Sequence, residues 1–134
     1  MAQGFTRTAA TEMLAKKITS TTYVALSTTT PNEDGGNFSE PSTQNGYRRQ
    51  RFGAVNASIP GQIANDDIIF LFEATGDCGS ITHVGLSANE ERGTGIFLMA
   101  QLLAPLPVAA GYVPLIRARN FIIGLDKENL ETYV

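Results

Sequence analysis

The chain has 134 residues, a length that corresponds to one domain. Apolar residues make up 43 % and charged residues 17 % of the sequence, which excludes a disordered chain because such chains are poorer in apolar residues and richer in charge. The net charge of −3 argues against a general nucleic-acid binder, since phosphate contacts need a basic surface.

The N-terminal segment, residues 4–20, is predicted to be an α-helix. Its apolar residues recur at steps of three and four, which places them on one stripe of a helix. The stripe consists of Phe5, Ala9, Ala10, Met13, Leu14 and Ile18. Two roles stay open for it: packing on a sheet of the same chain, or docking on a neighbouring subunit. For the second role the interface candidates are Phe5, Met13 and Leu14.

A strand is predicted over residues 21–27, and a polar segment over residues 28–46 follows it. This segment, called the polar loop below, consists almost entirely of Thr, Ser, Asn, Asp, Glu, Gly and Pro. Loops of this length are uncommon and are often functional or ordered by a partner. We expect the polar loop and the N-terminal helix to provide assembly contacts. Asn45-Gly46 signals a tight turn into the next strand.

Short strands between Gly, Pro and Asn turn signals are predicted in the rest of the chain. The predicted strands are 47–55, 67–73, 80–87, 95–103, 112–119 and 121–125, and residues 105–107 are predicted to be a turn. The fold prediction is a mainly β, jelly-roll-like antiparallel β-sandwich of about seven or eight strands with one N-terminal α-helix. It forms a single domain over 1–134, with the helix in 1–20 and the sandwich in 21–134.

The sequence shows no arrangement of residues typical of a catalytic, cofactor or metal site. Cys78 is the only cysteine and His83 the only histidine, so neither an internal disulfide nor a structural zinc site can form. Strand alternation places His83 with Ile81 and Gly85 on one face, which favours a satisfied, partly buried histidine. Phosphate-binding and nucleophile-elbow motifs are absent. We therefore expect no enzymatic activity, no cofactor and no metal.

The densest positive charge lies in residues 47–52, with the sequence Tyr-Arg-Arg-Gln-Arg-Phe. Alternation places Tyr47, Arg49 and Arg51 on one strand face and Arg48 on the other. Two interpretations stay open: a solvated face with ordinary cross-strand pairs, or an ion-pair surface between subunits. The second makes Tyr47, Arg48, Arg49 and Arg51 interface candidates, and it adds a smaller pair on a later strand, Arg117 and Arg119.

An ordered series of short motifs runs through nearly the whole chain. It includes Tyr23-Val24-Ala25-Leu26-Ser27-Thr28, Thr30-Pro31, Gly46-Tyr47-Arg48-Arg49-Gln50, Glu73-Ala74-Thr75-Gly76 and Gly79-Ser80-Ile81-Thr82-His83-Val84-Gly85-Leu86. This series resembles the short tail-fibre-like structural proteins of tailed bacteriophages. The resemblance implies a virion component with a small β-sandwich fold and no enzymatic activity. The chain departs from the family pattern at Cys78, where members often carry Trp, and in the added charges of Arg48 and Arg51.

The expected function is that of a virion structural protein, tail-fibre-associated or capsid-decorating, which acts through contacts with itself and with other virion proteins. A homo-oligomer, with a trimer as the first expectation, follows from the symmetric frames on which such parts sit. The alternative is a module of the adsorption apparatus that binds a host-surface glycan or receptor, with Tyr47 and Tyr112 as the best aromatic platforms. We expect no nucleic-acid or membrane partner, and synthesis in the bacterial host cytoplasm, because the sequence contains neither a membrane span nor a secretion signal.

Overall fold

The computed structural model describes residues 6–93, 95–125 and 130–133. These residues form one α-helix, α1 (Arg7–Lys17), and ten strands in three antiparallel sheets. The strands are β1 (Tyr23–Ser27), β2 (Gln50–Arg51), β3 (Val55–Asn56), β4 (Gln62–Asn65), β5 (Ile69–Phe70), β6 (Gly79–Ser87), β7 (Ile96–Val108), β8 (Leu115–Ile116), β9 (Ile122–Leu125) and β10 (Leu130–Tyr133). The predicted mainly β, antiparallel fold with one N-terminal helix is confirmed, but several strands are shorter and the described ones more numerous than predicted.

Helix α1 begins and ends where its sequence favours it. The Thr6 hydroxyl accepts a hydrogen bond of 3.1 Å from the backbone N–H of Ala9, which satisfies one of the free donors of the first turn. Lys16 and Lys17 lie in the last turn, where positive charge is stabilised by the helix dipole. Ile18 follows with extended backbone angles, so the helix ends before the predicted end at residue 20, and residues 4 and 5 of the predicted helix lie outside the described residues.

One side of α1 packs on the chain's own second sheet, against β4 and β9. Ala10 and Leu14 are buried, because they recur at helical spacing on one side of α1, and Ile18, directly after the helix, is buried as well. The Thr11 hydroxyl accepts a hydrogen bond of 2.7 Å from the backbone N–H of Gly61, beside β4. The buried part of the predicted stripe therefore belongs to the core of the chain.

The first sheet has the strand order β2-β1-β6-β7 and the second the order β10-β9-β4-β3, while β5 pairs with β8. Strand β6 lies inside the first sheet and is buried on both faces over most of its length. A side chain at Gly85 would place its Cβ 2.9 Å from the ring of Phe38, which belongs to the polar loop. Glycine at this position therefore lets the polar loop lie directly on the sheet.

Strand β7 is long and is the last strand of its sheet. It includes Pro105 and Pro107, so the predicted turn over 105–107 is wrong. Proline is accepted in an edge strand, where its missing N–H can face away from the neighbouring strand. The pairing with β6 shifts between Ile81 and His83, so that residues 102–105 of β7 stand opposite Thr82 alone. Ile81 belongs to the core although strict alternation places it on the face of β6 opposite to Val84 and Leu86.

The predicted strand over 47–55 is interrupted. Gly53 has a φ of +78°, a conformation that ends β-pairing, and only Gln50–Arg51 and Val55–Asn56 pair with other strands. Strands β4 and β10 were not predicted from the sequence. Strand β4 ends at Asn65, whose buried amide donates to the carbonyls of Asp67 and Arg117 at 2.9 Å each.

The three sheets and α1 share one hydrophobic core. Its residues come from α1, from both four-stranded sheets and from the β5–β8 pair. Two edge-to-face aromatic contacts lie within it: Tyr47 with Phe72 at 5.3 Å and Phe52 with Phe121 at 5.7 Å between ring centroids. Such pairs add about 0.5–1.5 kcal/mol beyond the area that they bury.

Candidate interaction surfaces

The carboxylate of Glu40, in the polar loop, accepts four hydrogen bonds. One oxygen accepts from the Tyr47 hydroxyl at 2.5 Å and from Arg49 Nε at 2.8 Å. The other accepts from Arg49 Nη2 at 3.0 Å and from the backbone N–H of Gly93 at 2.6 Å. We call these four residues the Glu40 cluster. The side chains of Glu40 and Arg49 are almost completely buried.

The Glu40 cluster joins three segments that are distant in sequence. Arg49 Nη1 donates to the carbonyl of Asn89 at 2.9 Å, in the connection between β6 and β7. From the same connection, Arg92 donates through Nη2 to the backbone carbonyl of Glu40 and through Nε to that of Pro41 at 2.9 Å. The polar loop, the arginine-rich segment and the β6–β7 connection are therefore held together by charge-assisted hydrogen bonds.

The electrostatics of the Glu40 cluster favour an ionised carboxylate. Burial by itself would raise the pKa of Glu40, but hydrogen bonds from Arg49, Tyr47 and Gly93, with the charge of Arg49, hold that pKa below its usual value. Burial, together with the hydrogen bond and negative charge of Glu40, raises the pKa of Tyr47. Tyr47 therefore stays a neutral hydrogen-bond donor, and the cluster has the character of a structural ion pair.

The structure separates the predicted arginine surface into buried and exposed residues. Tyr47 and Arg49 are buried inside the chain, so the expectation that they share an exposed face with Arg51 is wrong. They lie before β2 begins, and their side chains are drawn inward by Glu40. Arg48 and Arg51 are exposed, and Arg51 Nε donates to the Tyr23 hydroxyl at 3.4 Å.

The second arginine pair is exposed, whereas the described interface candidates of the helix are partly buried and partly exposed. Arg117 and Arg119 are both exposed, and Arg119 forms a solvent-exposed ion pair of 3.7 Å with Asp66. Leu14 is buried in the core, whereas Met13 is 44 % exposed on the other side of α1. The remaining helix candidate, Phe5, lies outside the described residues.

His83 and Cys78, the histidine and the cysteine of the chain, both lie inside the fold. His83 is buried in β6, and its Nδ1 lies 2.8 Å from the Thr82 hydroxyl. Burial, and next to it the charge of Asp77, raises the pKa of Cys78, which disfavours the reactive thiolate. The described residues hold no group of three or more His, Cys, Asp or Glu side chains that could bind a metal ion. No helix in this part of the chain is long and apolar enough to cross a membrane.

A surface of large apolar side chains lies on the β7 and β5–β8 side of the molecule. Leu103 is 94 % exposed, and Phe70 is 60 % exposed. We call the group the apolar face; it consists of Phe70, Leu103, Leu106, Tyr112, Val113 and Leu115. Patches of this kind on soluble proteins mark interaction sites more often than chance.

The apolar face is continuous across two neighbouring grooves. Leu103, Leu106 and Leu115 line a groove of about 310 Å³. Leu106 and Leu115 also line a second groove, of about 290 Å³, together with Tyr112 and Val113. Phe70 stands directly opposite Leu115 in the β5–β8 pairing, so both side chains lie on the same side of that sheet.

The apolar face does not follow from local sequence rules, because Pro105 and Pro107 predict a turn where the structure has strand β7. A signal was nevertheless present. Residues 102–108, Leu-Leu-Ala-Pro-Leu-Pro-Val, contain no polar side chain. Side chains alternate between the two faces of a strand, so a strand with such a run must expose apolar groups unless both faces are covered.

These observations define a β-rich protein with an internally bonded surface loop, a buried ion-pair cluster and a broad apolar face. Comparison with known proteins gives the family. The family model described as podophage GP4 fiber I protein gp80 matches residues 5–123, which is most of the chain. The chain belongs to this family and is a phage tail-fibre-like virion protein, as the resemblance in its sequence indicated. No curated protein and no solved structure matches it.

Proposed function

We propose that this protein is a non-enzymatic component of a phage fibre that acts through protein–protein contacts, with copies of itself and with other virion proteins. Membership in a fibre family supports a place on the fibres of the particle rather than a decoration of the capsid. Synthesis takes place in the bacterial host cytoplasm, before assembly.

The observation that carries this proposal is the apolar face. Large exposed side chains such as Leu103 and Phe70 leave apolar surface in contact with water, and covering that surface is favourable by about 25 cal/mol per Å². A part whose role is to pack against neighbours keeps such a surface free until assembly. The Glu40 cluster ties the polar loop to the rest of the chain by internal hydrogen bonds, so the apolar face rather than the polar loop carries the proposal.

The glycan-binding alternative has less support from the structure. Binding modules for sugars present exposed aromatic rings, and Tyr47, one of the two expected platforms, is buried with its hydroxyl bonded to Glu40. Tyr112 is exposed, but its groove is lined by aliphatic and proline side chains. The apolar lining of this groove favours a protein partner over a sugar, because a sugar site needs polar groups that converge on the sugar's hydroxyls.

Labelling of intact particles with a specific antibody, observed by electron microscopy, tests the proposal. Label on the fibres is the expected result. Label spread over the head would replace the fibre role with capsid decoration. Absence of the chain from purified particles, measured by mass spectrometry with a known virion protein as the control, would overturn the proposal.

A further inference from the structure

We propose that the apolar face is the docking surface for a second copy of this chain. The inference rests on the assembly role proposed above and adds both the location of the contact and its occupant.

The area of the apolar face matches one side of a stable protein contact. Its six side chains expose on the order of 600 Å², from their exposed fractions and ordinary side-chain areas. A standard interface buries about 800 Å² on each partner, including a polar rim. The apolar face with its rim therefore suffices for a specific contact, and it lies at the upper end of what monomeric proteins leave exposed.

The charge distribution favours a copy of the chain as the occupant. When a patch packs on the same patch of a second copy, a net charge of either sign on that patch repels its own copy and opposes association. The six side chains of the apolar face are uncharged. Arg117 is the one charged residue among the described residues that line the two grooves. Self-association through this face therefore carries little electrostatic cost, and nothing in its charge selects an acidic or basic partner.

The shape of the apolar face suits a reciprocal contact. Leu103 projects from the irregular part of β7, where the pairing with β6 shifts, and it stands at the border of the 310 Å³ groove. A projecting side chain and a groove on the same surface allow each copy to insert Leu103 into its neighbour and to receive the equivalent residue. Closed symmetric contacts are built in this way.

The backbone of β7 indicates contact through side chains rather than through an added strand. Pro105 and Pro107 remove two N–H donors from this edge strand. Strand addition depends on a continuous row of such donors and acceptors. The prolines thus oppose open-ended strand pairing while they leave the leucine side chains available for packing.

Sedimentation velocity on the purified full chain tests the proposal. We expect a dimer, with twice the mass of the 14.4 kDa monomer, that dissociates on dilution. The variant combines Leu103→Asp with Phe70→Asp, which puts charge into the centre of the contact. Its dissociation constant should rise about 100-fold or more, because central apolar residues carry most of the binding energy. Circular dichroism and urea unfolding check that the double variant folds. If it does not fold, the single variant Leu103→Asp is used instead, since the Leu103 side chain is almost fully exposed.

Ile59→Asp is the matched control. Ile59 is 57 % exposed but lies beside a different cleft, next to Asn56 and Gln62. It should associate like the wild type. A wild type that stays monomeric, a Leu103→Asp variant that associates normally, or an Ile59→Asp variant that is equally weakened would each overturn the proposal. If the wild type is monomeric and its Leu103→Asp variant is lost from particles, the apolar face binds another virion protein, and the proposed function stands. If the wild type itself is absent from particles, the proposed function is wrong.

Discussion

The buried ion pair between Glu40 and Arg49 is the best position for a quantitative test, and we consider the change Arg49→Met. Methionine has a similar length and fills the same space, but it removes the cation and the donors at 2.8 and 3.0 Å from the carboxylate and at 2.9 Å from the Asn89 carbonyl. The carboxylate of Glu40 then stays buried with only two donors, Tyr47 and the Gly93 amide.

The expected loss in the free energy of unfolding is about 3–5 kcal/mol, the range measured when one partner of a buried pair is removed. Against a total stability of about 5–15 kcal/mol this is a large fraction. The mechanism is desolvation of an unpaired charge, so the loss should greatly exceed that of an exposed ion pair, which contributes about 0–1 kcal/mol.

Urea unfolding at neutral pH measures the effect, with Arg119→Met as the matched control. Arg119 also pairs with a carboxylate, that of Asp66 at 3.7 Å, but its side chain is 69 % exposed. We expect a loss below about 1 kcal/mol for Arg119→Met. Equal, small losses in the two variants, with unchanged dependence on urea concentration, would refute the argument that burial makes the Glu40 cluster important for stability.

Three further predictions use the same unfolding assay. Folding lowers the pKa of Glu40, so the ionised carboxylate contributes its full stabilisation above the unfolded pKa near 4.5 and loses it as the pH falls through the folded pKa. The Glu40→Gln variant should therefore lose less stability than the wild type on acidification. Parallel curves of stability against pH for the two proteins would contradict this. Gly46→Ala should lose at least about 2 kcal/mol more than Gly111→Ala, since both have positive φ but only at Gly46 would a Cβ lie 2.3 Å from a backbone oxygen; equal losses would show that φ alone matters. Leu14→Ala should lose about 2–5 kcal/mol and Met13→Ala about 0.5 kcal/mol or less, and the reverse order would place the stripe of α1 outside the core.

Patterns of neighbouring residues were sufficient for much of the fold. The helical spacing of Ala10, Leu14 and Ile18 predicted α1 and its buried side. Apolar and β-branched composition predicted β1 and β6, and the Gly46 signal predicted a turn, where this residue has a φ of +88°. These features follow from local preferences and periodicity, which depend only on residues close in the chain.

Other predictions failed where distant residues decide the outcome. Alternation placed Tyr47 and Arg49 on one strand face with Arg51, but the carboxylate of Glu40 binds both side chains in the interior, where it also accepts from the amide of Gly93, 53 residues away. The two-residue strand β5 likewise depends on its pairing with β8, since isolated short strands are unstable.

The sequence by itself determined that the chain is mainly β with an N-terminal helix, that it offers no local motif for catalysis, and that it resembles phage fibre proteins. Periodicity, composition and ordered motifs are sufficient for such conclusions. Only the tertiary structure decided which arginines are buried and which apolar residues are left uncovered. Burial depends on what the rest of the chain places above a side chain: the polar loop covers β6 and supplies Glu40 to Arg49, whereas nothing among the described residues covers Leu103.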